Sequence, residues 1–394
     1  MPRFEPFRGL RYDPDYFLME NVTAPPYDVI DAAQRQALAD RSKYNVVRID
    51  VPPEDGYDAA RATMDEWRET SVLIQDDEPT FYVYRMGFKD ELGRAHQTSG
   101  VIGALELMNP GEGDVLPHEQ TTPKAKSDRL QLMRSTNANL SPVWGLSLAS
   151  GLSALCELPG QPVARWTDDD GVHHRLYRVV EPGVIASISE TVDAQPVVIA
   201  DGHHRYAVSL QYRDERRAVI GTGPHDLTMT LMVELAADQL FVRAIHRLVA
   251  GLPEGYDLLS ALDPWFEAFS TTPADVSLTD RMGDAGALAL VAPTGDTWLL
   301  RPRDGVFDGV PDLDSARLDH ALAGCGAPYS LTYQHGVDNI VRLVKDGAAQ
   351  FGVFLRPVTV ANIAATAHER RLMPPKSTFF TPKPRTGVVI RLLD

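Results

Sequence analysis

The chain has 394 residues, a formal net charge of −16, and 44% hydrophobic against 23% charged residues. That balance is ordinary for a soluble globular protein, and the length calls for two or three domains of roughly 100–200 residues each. An acidic chain repels phosphate backbones and anionic lipid surfaces, which makes nucleic acid and membrane poor default partners.

The two cysteines, Cys156 and Cys325, are far apart and form neither a disulfide framework nor a zinc spacing. A reduced, cytoplasmic setting fits them. The first residues, "MPRFEPFRGLRYDP", lack the apolar core of a signal peptide. No apolar run reaches the roughly 18 residues that a membrane span needs.

In chain order, "VTAPPYDVI" reads as a proline-stiffened loop presenting Tyr27 and Asp28. Asp31 is placed to cap a helix, and Val46, Val47 and Ile49 read as a short strand. Tyr57, Ala60, Met64 and Trp67 recur at helical spacing. "TFYVYRMGF" and "TSGVIGALEL" alternate as strands around the turn-rich "DELGRAH", a hairpin signal. A loop, "PHEQTTPKAKSDRL", leads to a helix near 126–135 and a strand after Pro142. Alternation in the strand "HHRLYRVV" sends His173 and His174 to opposite faces, which suits structural roles. The helix "GVIASISETV", the strand "PVVIA" and the helix "RYAVSLQYRDE" follow. "DLTMTLMVEL" reads as a strand and "QLFVRAIHRLV" as a strand and helix, with His246 a core imidazole. The last third reads as helix near 256–268, strands "ALALVA" and "TWLLRP", and helices near 315–323 and 337–345. Strand "AQFGVFLRP", helix near 359–369 and a terminal strand "GVVIRLL" complete it. The plan is α+β, a mixed α/β arrangement, segmented here as 1–165, 166–250 and 251–394.

The junction "IADGHHRY" concentrates chemistry. A strand that turns directly into a helix exposes free N–H groups, and these together with the helix dipole favour an anion. Gly202 lets a ligand approach the backbone, and Arg205 suits phosphate oxygens. His203 and His204 are adjacent and therefore point about 100° apart on a helix, unlike a chelating i,i+4 pair. His118 and Glu119 are an acid/base pair on a polar loop. Lys124 and Arg129 beside them suit phosphate or carboxylate. The segment "MPPKSTFFTPKPRTG" cannot be helical and carries Lys376, Ser377, Thr378 and Lys383, polar groups able to close a pocket by folding back.

"VTAPPYDVI", "PHEQTTPKAKSDRL", "STNANLSP", "IADGHHRY" and "MPPKSTFFTPKP" resemble, in that order and over nearly the whole chain, the signature runs of the domain-of-unknown-function-1015 family. The resemblance implies a fold like that of ParB and sulfiredoxin and a relation to free-serine kinases, some of which use ADP as donor. It implies that Asp201, Gly202, His203, His204 and Arg205 form a nucleotide corner. The expected activity is a kinase that uses ATP or ADP with Mg²⁺ to phosphorylate a small, serine-like hydroxyl compound. Glu119 is the first choice of base, assisted by His118, with Asp201 and Glu181 next. His203 joins the catalytic group, and Lys124, Arg129, Lys376 and Ser377 are further phosphate or acceptor ligands. A metal-dependent phosphohydrolase and a non-catalytic nucleotide-binding regulator are the alternatives.

Overall fold

The computed structural model describes residues 1–53, 56–117 and 126–394, without the side chains of residues 126 and 127. The chain forms two compact units: Met1–Lys89, Ala95–Phe241 and Pro382–Asp394 make the first, and Asp90–Arg94 with Val242–Thr381 the second. The architecture is mixed α/β, and none of the described helices is long and apolar enough to cross a membrane.

Among the described residues, the first unit is built on a nine-stranded mixed sheet. Its order is Val115–Pro117, Val197–Asp201, Val143–Ser147, Leu227–Glu234, Ala95–Glu106, Phe81–Lys89, His173–Val179 and Gln161–Thr167, with Phe4–Glu5 paired beside Ala95–Glu106. Strands from both the 1–165 and the 166–250 segments thus interleave in one sheet. Phe81–Lys89 and Ala95–Glu106 pair antiparallel as the hairpin pattern predicts. Val197–Asp201 runs parallel to one neighbour and antiparallel to the other, so it is bonded on both sides. Four of its five residues are buried, which matches the unbroken apolar run of its sequence. Phe4, Phe81, Val101, Val143, Val197 and Ile199 belong to one core on this sheet.

Local rules explain the flanking elements. Asp31 and Gln34 close a capping box on the helix Ala32–Arg41. The helix Tyr57–Glu69 buries Ala60, Met64 and Trp67 on one stripe. The expected strand at Val46–Ile49 is instead a helical turn, Val47–Asp50. Its cause is Asn45, whose side-chain oxygen accepts from the Val47 N–H at 3.0 Å while its amide donates to the Asn21 and Thr23 carbonyls. That local bonding gives the backbone an alternative to a ladder.

The second unit carries a six-stranded antiparallel sheet: Phe266–Thr271, Thr297–Pro302, Leu288–Val291, Phe351–Phe354, His246–Ala250 and Ser330–Gln334. The helix Val337–Lys345 packs Val337, Ile340 and Val344 inward. Gly352 permits this approach, since a Cβ there would meet Ile340 at 2.5 Å. Two expected helices are corrected here. The helix near 256–268 is only Leu258–Ala261, because Pro264 disfavours helical backbone before it, and Phe266–Thr271 becomes a strand. His246–Ala250 is a strand because it is bonded on both edges. His246 is a core imidazole: its Nδ1 accepts from the Leu355 N–H at 3.2 Å, and burial pushes its pKa down to about 3.

Candidate functional site

The strand Val197–Asp201 ends in a register irregularity between Ile199 and Asp201, and Gly202 turns the chain into the helix His203–Ile220. Gly202 has φ +83°, left-handed backbone that glycine adopts without strain. A Cβ at Gly202 would lie 3.0 Å from Arg205 Nε and 3.1 Å from its Cζ. The glycine therefore sets the turn and makes room for the guanidinium at once.

Asp201 is the electrostatic centre. Its Oδ2 accepts from Arg205 Nη2 at 2.8 Å and its Oδ1 from Lys383 Nζ at 2.9 Å. Burial alone would raise this carboxyl, but Lys383 and Arg205 outweigh it and hold the pKa at about 2. Arg205 is 8% exposed and donates its second arm to the Pro142 carbonyl. Burial opposes its charge, and the neighbouring acids Asp201, Asp28 and Asp50 restore it, leaving the pKa above the ordinary value. His203 is half-buried, and loss of hydration lowers its pKa to about 4, with Asp201 opposing that drop. At neutral pH it is a neutral hydrogen-bonding group. His204 is half-buried beside it. Two cations, one carboxylate and two histidines thus surround the start of an 18-residue helix. One negative charge against two positive ones is a setting for an anion.

Arg205 also lines a cavity of about 40 Å³ with Tyr27, Asp50, Arg129, Ser141 and Ser209. The Arg129 guanidinium lies 4.4 Å from the Tyr27 ring centroid. It donates to the Asp50 carbonyl at 2.5 Å and to Asp128 Oδ2 at 2.8 Å. Asp50 is 3% exposed, and burial raises its pKa against the pull of Arg129 and Arg205.

Of the residues singled out by sequence, Asp201, Gly202, His203, His204 and Arg205 form the corner, and Arg129 shares the cavity with Arg205. His118, Glu119 and Lys124 lie outside the described residues. Lys376 and Ser377 belong to the second unit. Lys376 is exposed, and Ser377 donates to the Pro374 carbonyl at 2.7 Å and lies 3.2 Å from the Ser315 hydroxyl. Glu181 is exposed at the start of the helix Pro182–Asp193. Among the described residues no group of three or more His, Cys, Asp or Glu side chains is assembled to hold a metal. His174 is buried as alternation predicts, its Nδ1 2.8 Å from the Tyr84 hydroxyl and its Nε2 2.9 Å from Asp168.

Sequence reasoning passed over Asp50, which sits in the apolar run "VVRIDV" with no motif around it. In the sequence Lys383 is only one polar group of a proline-rich segment. The Pro-Lys-Pro spacing at 382–384 is the available signal, because the flanking prolines restrict the backbone on either side of the lysine.

No curated protein matches the chain. Eight solved chains do. A conserved hypothetical protein from Pyrococcus furiosus is 12% identical with a TM-score of 0.36, covering 71% of this chain and 92% of that one. A free serine kinase in complex with AMP is 12% identical with a TM-score of 0.38, covering 71% and 88%. SbnI with a C-terminal truncation, from Staphylococcus aureus, is 11% identical with a TM-score of 0.37, covering 74% and 87%. The family described as "Protein of unknown function (DUF1015)" matches residues 4–320, well over half of the sequence, and the chain belongs to that family.

Proposed function

We propose that the protein is a nucleotide-dependent phosphotransferase acting on a small hydroxyl compound, serine-like by family resemblance. The observation that carries the reading is Asp201 held between Lys383 and Arg205 beside the left-handed Gly202, at the start of a long helix. Phosphoryl transfer asks mainly for positioning and charge neutralisation. An anion-favouring corner with backbone donors offers both. In this reading Gly202, His203, His204 and Arg205 cradle the phosphates of ATP or ADP. His203 contributes a neutral hydrogen bond, in keeping with its depressed pKa. Glu119 takes the acceptor's proton with His118 beside it, while Lys124 and Arg129 hold the acceptor. These roles belong to a ParB- and sulfiredoxin-like core.

Both oxygens of Asp201 are already engaged by cations, so the corner does not suit a Mg²⁺ ion held by the protein. A nucleotide-bound Mg²⁺, carried on its own phosphates, is the form that fits.

Calorimetric titration with ATP and ADP tests the reading. Arg205→Ala is expected to weaken nucleotide binding by about 1.5–3 kcal/mol, the range for a hydrogen bond to a charged group. Glu119→Gln is expected to lower turnover by about 10²–10⁴-fold with nucleotide still bound. Turnover is read by ³¹P NMR after incubation with Mg²⁺, either nucleotide and a panel of small alcohols and hydroxy amino acids. If neither nucleotide binds and no phosphoester forms, the reading is wrong.

A further inference from the structure

The margin of the nine-stranded sheet carries charges that the fold leaves uncompensated. Among the described residues, Gln161–Thr167 ends the sheet and pairs only with His173–Val179. In that pairing Arg165 stands directly opposite Arg175, and both are exposed. Directly opposite side chains share a face with their Cβ atoms about 4.5–5.5 Å apart, and like charges placed so repel. Arg85, the next in the row, is engaged by the Cys156 carbonyl and by Glu157 at 3.5 Å. Arg165 and Arg175 have no such relief: neither guanidinium makes a hydrogen bond or ion pair with a described residue.

Both arginines line a groove of about 630 Å³, and the stretch around Pro14–Glu20 supplies the rest of its lining, Asp15 and Glu20 included. Those two carboxylates likewise have no side-chain partner among the described residues. One groove thus holds two bases and two acids with no ion pair between them. The same stretch leaves Tyr16 81% and Leu18 64% exposed. Large apolar side chains in the open, flanked by charge, have the make-up of an interface with an apolar centre and a polar rim.

The charges select the partner. An anionic ligand would satisfy the arginines and be repelled by Asp15 and Glu20, and a cation would meet the reverse. A surface with both sets complements a copy of itself: a two-fold axis sets the bases of one chain against the acids of the other and repeats the contact in the opposite sense. We infer that this groove is the interface of a two-fold homodimer, in which Arg165 and Arg175 of each chain pair with Asp15 and Glu20 of the other, around Tyr16 and Leu18. The inference is independent of the phosphotransferase reading.

Sedimentation equilibrium of the full chain tests it, at about 0.15 M salt, where the net charge of −16 is screened beyond about 8 Å and contact pairs are not. The wild-type protein is expected to reach twice the mass of one chain as its concentration rises through the micromolar range. Two charge reversals, Arg165→Glu with Arg175→Glu and Asp15→Lys with Glu20→Lys, are each expected to weaken the dimer at least about 100-fold, because all the reciprocal contacts become repulsive. An equimolar mixture of the two reversed proteins is expected to dimerise again, since every contact between them joins opposite charges. The milder Arg165→Gln with Arg175→Gln, which introduces no new charge into the fold, is expected to weaken the dimer at least tenfold. A wild-type chain that stays monomeric would overturn the inference. So would a dimer that the glutamine variant leaves unchanged, or reversed variants that remain folded and fail to associate when mixed.

Discussion

At neutral pH the Asp201 carboxylate is ionised and His203 is neutral, and both states tie stability to pH with a defined sign. In the unfolded chain an imidazole takes its proton near its ordinary value of about 6.5. In the fold His203 stays neutral down to about 4. Between those values the unfolded state binds the extra proton, so stability falls as the pH drops through this window. The loss at pH 5 amounts to about 2 kcal/mol from this one group. His203→Asn is therefore expected to lose about 2 kcal/mol less than wild type between pH 7 and pH 5, measured by urea unfolding. Equal losses in the two proteins would assign the acid sensitivity elsewhere. Asp201 acts in the next window. Its folded pKa is depressed, so its stabilisation is whole above the ordinary carboxyl value and disappears as the pH falls toward about 2. The sequence displayed Asp201, His203 and Arg205 as one motif because their spacing along the chain is also their spacing in space. It hid Asp50, whose importance lies in burial against Arg129 and Arg205, neither of which is near it in sequence.

The strand-to-helix corner depends on one backbone conformation. Gly202→Ala would force a side chain into left-handed backbone, at about 1–2 kcal/mol, and push its Cβ to 3.0 Å from Arg205 Nε. We expect a loss of at least that size in urea unfolding, together with weakened nucleotide binding because Arg205 must shift. A variant as stable as wild type would mean that the turn relaxes at no cost. The helical turn Val47–Asp50 depends similarly on Asn45. Asn45→Ala strands the Asn21 and Thr23 carbonyls and the Val47 N–H, buried groups worth about 1–3 kcal/mol. It should also disturb the cavity through Asp50. Helices with side-chain caps or a wide apolar stripe, such as Ala32–Arg41 and Tyr57–Glu69, were legible because the controlling residues are a few positions apart. Val47–Asp50 was not, because three apolar β-formers conceal a turn set by an asparagine that bonds back more than twenty residues.

Across the whole molecule, the first unit is assembled from segments that periodicity cannot bring together. Its cavity draws Tyr27, Asp50, Arg129 and Arg205 from four separate stretches, and Lys383 arrives at Asp201 from the far end of the chain. The family match ends at residue 320, yet residues 382–394 belong to the first unit. They are tied there by backbone bonds between Ala24 and Thr386 and between Leu10 and Ile390, and by pairing of Arg391–Leu392 with Ala138–Asn139. Val389, Ile390 and Leu393 are each at most 2% exposed. Burying three such side chains contributes about 1.5–3 kcal/mol each. The sum approaches the 5–15 kcal/mol that holds a typical domain folded. A chain ending at Thr381 should therefore lose the first unit while the second, with its own core around Leu290 and Val353, remains folded. Hydrogen exchange resolves the two. Amides of Val197–Asp201 and Leu227–Glu234 are expected to exchange freely in the truncated chain, while those of Leu288–Val291 and Phe351–Phe354 keep their protection. Protection of Val197–Asp201 at the full-length level would show that the terminal segment is an accessory to the corner and no part of what holds it together.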